Sequence, residues 1–221
     1  MISETNARLQ KIANFVQQYL AESYEKRSKA DKANLKRYLL GVDYRWHHTL
    51  RVAQFGKVIA ENEGVELEWV EAACLLHDVC WFDTTADSSR EHGRIGADLS
   101  RPFLARLGYT PDAVENICYS VASHVDEDHP VTLEAKILSD ADNVDRFGPY
   151  RVLQWCFSDI NDYEKLTTKL SDRIRRLEHY REENPLFTAC GQQLFAEQIN
   201  LQHRFFCEFV GEKSLTVMPQ I

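Results

Sequence analysis

Six of the eight histidines fall between positions 47 and 129. His48 shares a helical stripe with Val52, Phe55 and Ile59, so its imidazole is expected to point inward. His47 lies nearer Arg51 and Gln54 and is expected to be partly exposed. His77 continues the stripe Val70, Ala73 and Cys74, and Asp78 extends Glu71, Cys74 and Leu75. An ionisable His-Asp pair therefore ends a segment that is otherwise almost wholly apolar. An unpaired buried carboxylate is costly, so Asp78 needs a cation or a hydrogen-bond network. Downstream, His92 aligns with Ile95, Leu99 and Phe103, and His124 with Ala113, Ile117 and Val121. Asp142 follows Ala135 and Leu138, but Asp140 follows Leu133 and Ile137 just as well. Helical geometry alone does not choose between these two aspartates.

Taken singly, each inward histidine reads as a satisfied core residue and each inward aspartate as a cap or salt bridge. Together they differ, because imidazoles and carboxylates converge from separate helices with no comparable number of inward Lys or Arg. A bound cation accounts for the set. Mixed imidazole and carboxylate ligands favour a divalent transition ion (Mn, Fe, Co, Ni or Zn), since Mg takes more oxygen. The absence of thiolates argues against a structural zinc site.

The elements that must position these residues are helices. Apolar residues recur at helical spacing along most of the 221 positions, no useful β-alternation occurs, and Gly (9) and Pro (6) are sparse. We expect an all-α fold in one helical domain. An amphipathic helix over 3–22 carries Leu9, Ile12, Val16 and Leu20, and the charged stretch 23–40 reads as an exposed link or solvated helix. Helices are expected over 44–62, ending at Gly64, and over 68–79, followed by a loop over 80–90. The next helix ends at Gly108 and should be kinked or split by Pro102. Thr110-Pro111 starts another, which runs to about 124. After a loop over 126–130, Thr132 caps a helix reaching about 146. Two or three helices then occupy 150–211, with a short tail beyond.

The net charge of −8 makes non-specific nucleic-acid binding a poor expectation. No apolar run is long enough to span a bilayer, the N-terminus lacks a signal-peptide pattern, and the six cysteines form no C-x-x-C pair. We expect a cytoplasmic chain with reduced thiols and no membrane association. Lys165, Lys169, Arg173 and Arg176 lie near one stripe, but acidic neighbours make an ordinary salt-bridged face the expectation. The aromatic-rich run from Phe187 to Phe209 reads as core packing, with a homodimer face as the other option.

Three motifs are recognisable together: His48-Thr-Leu-Arg51-Val52, Leu75-Leu76-His77-Asp78-Val79 and Asp140-Ala-Asp142-Asn-Val-Asp145. Their order H…HD…D, over roughly 44–150, resembles the HD superfamily of metal-dependent phosphohydrolases. The resemblance implies an all-helical bundle and places the last ligand on Asp142. It implies an ion held by His48, His77, Asp78 and Asp142, one per chain with a second held open. It also implies hydrolysis of a phosphate ester or anhydride by activated water, the substrate being small, phosphorylated and a nucleotide by preference. His92 and His124 look like family features that contact phosphate or hold a second ion. Arg51 is a candidate phosphate contact, and Asp83, like the metal-bound Asp78, a candidate for proton handling. Trp81 and Phe82 stand where the branch acting on guanosine tetraphosphate carries an acidic pair, which lowers that substrate's standing. Two alternatives remain: a non-hydrolytic metal- and nucleotide-binding module, and a di-iron oxygenase of the HD type.

Overall fold

A computed structural model describes residues 4–30, 41–84, 91–125 and 130–212. The segments expected at 31–40, 85–90, 126–129 and beyond 212 lie outside the described residues. Those described form helices and turns, with no strand among them. No helix among them is long and apolar enough to cross a membrane. The chain divides into two compact units, Met1–Asp142 and Asn143–Ile221.

The first unit is organised around its most apolar helix. α1 spans Glu4–Ala30, α2 Gly41–Glu63, α3 Leu67–Leu76, α4 His92–Arg106, α5 Pro111–Ser123 and α6 Leu133–Arg146. α3 is packed by α1, α2, α4 and α5. A helix covered from so many sides must be apolar nearly all round. Val70, Ala72, Ala73, Cys74 and Leu76 are accordingly fully buried. One acid of α3, Glu68, is buried too, and Arg8 of α1 grips it with two hydrogen bonds of 2.6 and 2.7 Å.

α1 runs eight residues beyond the expected end at 22. Ser23 is buried and donates back to the Tyr19 carbonyl, and Tyr24 meets Phe82 edge-on at 5.1 Å. Over 23–30 the charged stretch is thus the solvated helix of the two alternatives, anchored on one side by these contacts. α2 and α4 end as expected at Gly64 and Gly108, whose positive φ (70° and 85°) lets the chain turn back. α4 is not split at Pro102. The carbonyl that loses its donor there belongs to Asp98, an exposed residue that water can serve. Thr110 caps α5 through Ala113 N–H, and Thr132 accepts from Ala135 N–H at the start of α6.

The second unit holds the last turn of α6 with α7 (Pro149–Phe157), α8 (Tyr163–Glu182) and α9 (Ala189–Gly211). Its core joins Leu166, Leu170 and Leu177 to Phe195, Ile199 and Phe206, while Phe187 and Phe205 remain exposed.

Candidate metal centre

α3 ends at Leu76, three residues before the expected position, and the chain tightens there. Val79 N–H reaches Leu76 O, Trp81 N–H reaches Asp78 O and Asp83 N–H reaches Cys80 O, at 2.9–3.1 Å. These are i to i+3 bonds of the 3₁₀ type, and Trp81–Asp83 completes one such turn. His77 and Asp78 thus leave the end of the most buried helix and remain covered themselves.

Around Asp78 the donors gather. Asp78 Oδ2 lies 3.3 Å from His77 Nε2 and 3.4 Å from His48 Nε2. His48 Nε2 is also 3.2 Å from His77 Nε2 and 3.3 Å from Asp142 Oδ1. One ring hydrogen cannot serve these three neighbours at once, whereas a cation among them can. The other carboxylate oxygen, Asp78 Oδ1, lies 3.0 Å from His92 Nε2 and 3.8 Å from His124 Nε2. The last two nitrogens are 3.1 Å apart. Two tight triads result, His48–His77–Asp78 and Asp78–His92–His124.

Backbone carbonyls fix two of the ring tautomers. His77 Nδ1 donates to Cys74 O at 2.7 Å, and His124 Nδ1 donates to Val121 O at 2.6 Å. A carbonyl only accepts, so each Nδ1 carries the hydrogen and each Nε2 turns a lone pair inward. That is the form a metal-binding imidazole needs. The donor set therefore fits a divalent ion.

The approach of α4 depends on small residues. His92, Gly93, Gly96, Ala97 and Ser100 are buried, whereas Ile95, expected on the same stripe as His92, is 38% exposed. A Cβ on Gly93 would come within 2.8 Å of the Val121 carbonyl oxygen. Glycine there lets α4 lie close enough to α5 for His92 to face His124.

Arg45 is the functional candidate that the sequence analysis missed. Its Nη1 donates to Asp78 Oδ2, and its guanidinium lies 3.7 Å from the centre of the Trp81 ring. Burial alone would raise the Asp78 carboxyl; the Arg45 guanidinium overrides that and holds it well below the usual carboxylate range. Arg45 precedes His48 by three positions, as Arg51 follows it by three. Helical side chains lean toward the N-terminus, so the space over the His48 ring is shared with the earlier arginine. Arg51 is half-buried farther along α2. His47 is exposed, with Nδ1 on the Asp43 carbonyl.

The remaining expected residues separate. Asp83 accepts a 2.8 Å hydrogen bond from Tyr19 Oη, and its carbonyl accepts from Arg27, so the turn after Asp78 is moored to α1. It is not among the side chains of either triad. Asp142 meets His48, while Asp140 is buried.

The family model of the HD domain matches residues 45–146. Ribonuclease Y from Opitutus terrae is 32% identical over 102 residues, which are 46% of this chain and 18% of that protein. The chain thus spans under a fifth of that relative's length. A predicted HD superfamily hydrolase from an uncultured Thermotogales bacterium shares the fold at a TM-score of 0.61, with 22% identity over 92% of each chain. Bacillus subtilis YpgQ does so at 0.63, with 17% identity over 97% of this chain and 98% of its own. A second structure of YpgQ, in complex with ADP, matches at 0.61 and 16% identity over 98% of both chains.

Proposed function

We propose that this chain, whose residues 45–146 match the family model of the HD domain, is a metal-dependent phosphohydrolase acting on a phosphate ester or anhydride, with a nucleotide as substrate. The observation that carries this reading is the convergence of His48, His77 and Asp78 donor atoms within 4.8 Å of one another. His48, His77 and Asp78 hold the ion, and Asp142 joins them through its position beside His48. A divalent transition ion so held acidifies a bound water, to a pKa of about 7 in favourable zinc sites, and offsets negative charge on a phosphoryl oxygen.

The chain's own residues do the rest. The Cys74 and Val121 carbonyls keep the His77 and His124 rings oriented with Nε2 inward. Arg45, stacked on Trp81, presents a guanidinium beside the site where a phosphate oxygen can receive it. His92 and His124 present their Nε2 atoms on the opposite side of Asp78. Asp83 is assigned to anchoring, since its carboxylate already receives the Tyr19 hydroxyl. The nucleotide preference draws support from YpgQ, a protein of the same fold that has been crystallised with ADP.

The division of the Asp78 oxygens between two imidazole pairs favours a second reading, in which the Asp78–His92–His124 triad holds another ion. A di-iron oxygenase would use the same arrangement. The test is turnover by the manganese-, iron- or cobalt-reconstituted protein on a panel of nucleotides and aryl phosphates. Metal-dependent release of phosphate or pyrophosphate is expected. Metal-loaded protein that releases neither overturns the hydrolase reading, and oxygen consumption in its place selects the oxygenase.

A further inference from the structure

The second unit contains a cavity of about 580 Å³ bounded by the end of α6, α7 and α8. Five cationic side chains line it, Arg146, Arg151, Lys169, Arg173 and Arg176, and no carboxylate among the described residues does. The salt-bridged face expected for α8 is therefore only half of what the helix presents. Lys165 and Lys169 do pair with Asp159, at 2.5 and 2.8 Å, and Arg175 pairs with Asp172 at 2.5 Å. Asp162 receives the Lys165 N–H as the cap of α8. Asp159, Asp162 and Asp172 are thus engaged with other groups.

Arg173 is different. Its side chain is buried, at 7% exposure, and its Nη2 reaches the Gln202 amide oxygen only at 3.4 Å. Its Nε is buried without a hydrogen-bond partner. The guanidinium lies 4.4 Å from the centre of the Phe147 ring and 5.1 Å from that of Trp155. Burial first, then the neighbouring Arg176, Arg151 and Arg146, pull its pKa down to about 10, which leaves it cationic at neutral pH. A buried guanidinium beside Arg176, Arg151 and Arg146 is unfavourable in isolation, and an anion in the cavity offsets the like charges.

We propose that this cavity is a binding site for a small ligand carrying two or more phosphate groups. Guanidinium forks match phosphate oxygens, and several of them around one space match more than one phosphate. The volume falls in the range of small-molecule sites, roughly 300–1,000 Å³. Trp155, with Lys169 Nζ at 4.8 Å from its ring centre, offers a flat wall for a base. None of the lining residues belongs to either of the two histidine-aspartate triads.

The test is calorimetric titration of the full chain, stripped of metal by chelation, with inorganic pyrophosphate and with ADP. One binding event per chain is expected, weakening as salt is raised. Exposed Arg176→Gln should raise the dissociation constant at least about tenfold, the loss of a charge-assisted bond. Arg173→Gln should do the same where its thermal melt is retained, and Arg176 answers the question where it is not. Tighter binding of ADP than of pyrophosphate, abolished in Trp155→Leu, identifies a nucleotide. Equal binding identifies a free polyphosphate. Absence of binding, or binding that Arg176→Gln and Arg151→Gln leave unchanged, overturns the proposal. Metal content and phosphate hydrolysis are read separately on the same proteins, so failure of the hydrolase reading shows there and not in the titration.

Discussion

His92 Nε2 lies 3.0 Å from Asp78 Oδ1, the carboxylate oxygen opposite the one that faces His48 and His77. A single aspartate therefore joins two sets of imidazoles that can be dissected separately. His92→Ala should leave the His48–His77–Asp78 set intact. Elemental analysis of that variant should find one ion per chain, against one or two in the wild type according to whether His92 and His124 serve phosphate or a second ion. A variant that retains no ion contradicts the separation.

Arg45 holds Asp78 from one side and is stacked on Trp81 from the other. If it donates to a phosphate oxygen during turnover, Arg45→Gln should lower kcat/KM by about 10²-fold, the usual effect of deleting one charge-stabilising donor. Arg45→Lys should recover little, because a point charge does not reproduce the planar fork. Steady-state kinetics with metal-saturated protein decides it. Unchanged kinetics in both variants would reduce Arg45 to a structural partner of Asp78.

Asp83 presents a choice between anchor and base. Asn at this position still accepts the Tyr19 hydroxyl, so Asp83→Asn should keep its melting temperature and a kcat within a few-fold of wild type. A loss of about 10²–10⁴-fold, the span typical of a general base, would return proton handling to Asp83.

The Arg8–Glu68 pair gives a pH dependence remote from the metal centre. The Arg8 hydrogen bond holds the Glu68 carboxyl below its ordinary value, against the opposing effect of burial. A depressed folded-state pKa contributes stability above the unfolded value of about 4.3, and that contribution disappears as pH falls through the folded value. Arg8→Ala should therefore cost about 1–3 kcal/mol at pH 7 and progressively less below pH 4. Denaturant melts at pH 7 and pH 3 measure it, and an equal deficit at both contradicts the assignment.

Much of this architecture can be read from the residues, for physical reasons. Thr110-Pro111 and Thr132 satisfy backbone donors locally, and Gly64 turns the chain where only glycine does so cheaply. His48, His77 and His124 lie on strongly apolar stripes, so their burial follows from period alone. Other features depend on shape. The inner face of α4 is made of Gly93, Gly96, Ala97 and Ser100, and a search for large apolar residues selects Ile95 instead. Arg45 and Arg51 are symmetric in spacing about His48, and only side-chain direction separates them. The division between Asp142 and Asn143 falls inside α6, where no linker composition could mark it. The cationic cavity is hidden for another reason: Arg146, Arg151 and Arg173 come from three different helices, and two lysines of α8 pair with Asp159, which gives the helix the look of an ordinary salt-bridged face.

Metal content measured beside turnover bears most directly on the central claim. Protein purified without added metal should carry at least one divalent transition ion per chain by elemental analysis. His77→Ala should lose that ion together with phosphohydrolase activity, while its far-ultraviolet circular dichroism stays helical. A chelator-stripped chain that hydrolyses phosphate esters at the wild-type rate would contradict the account.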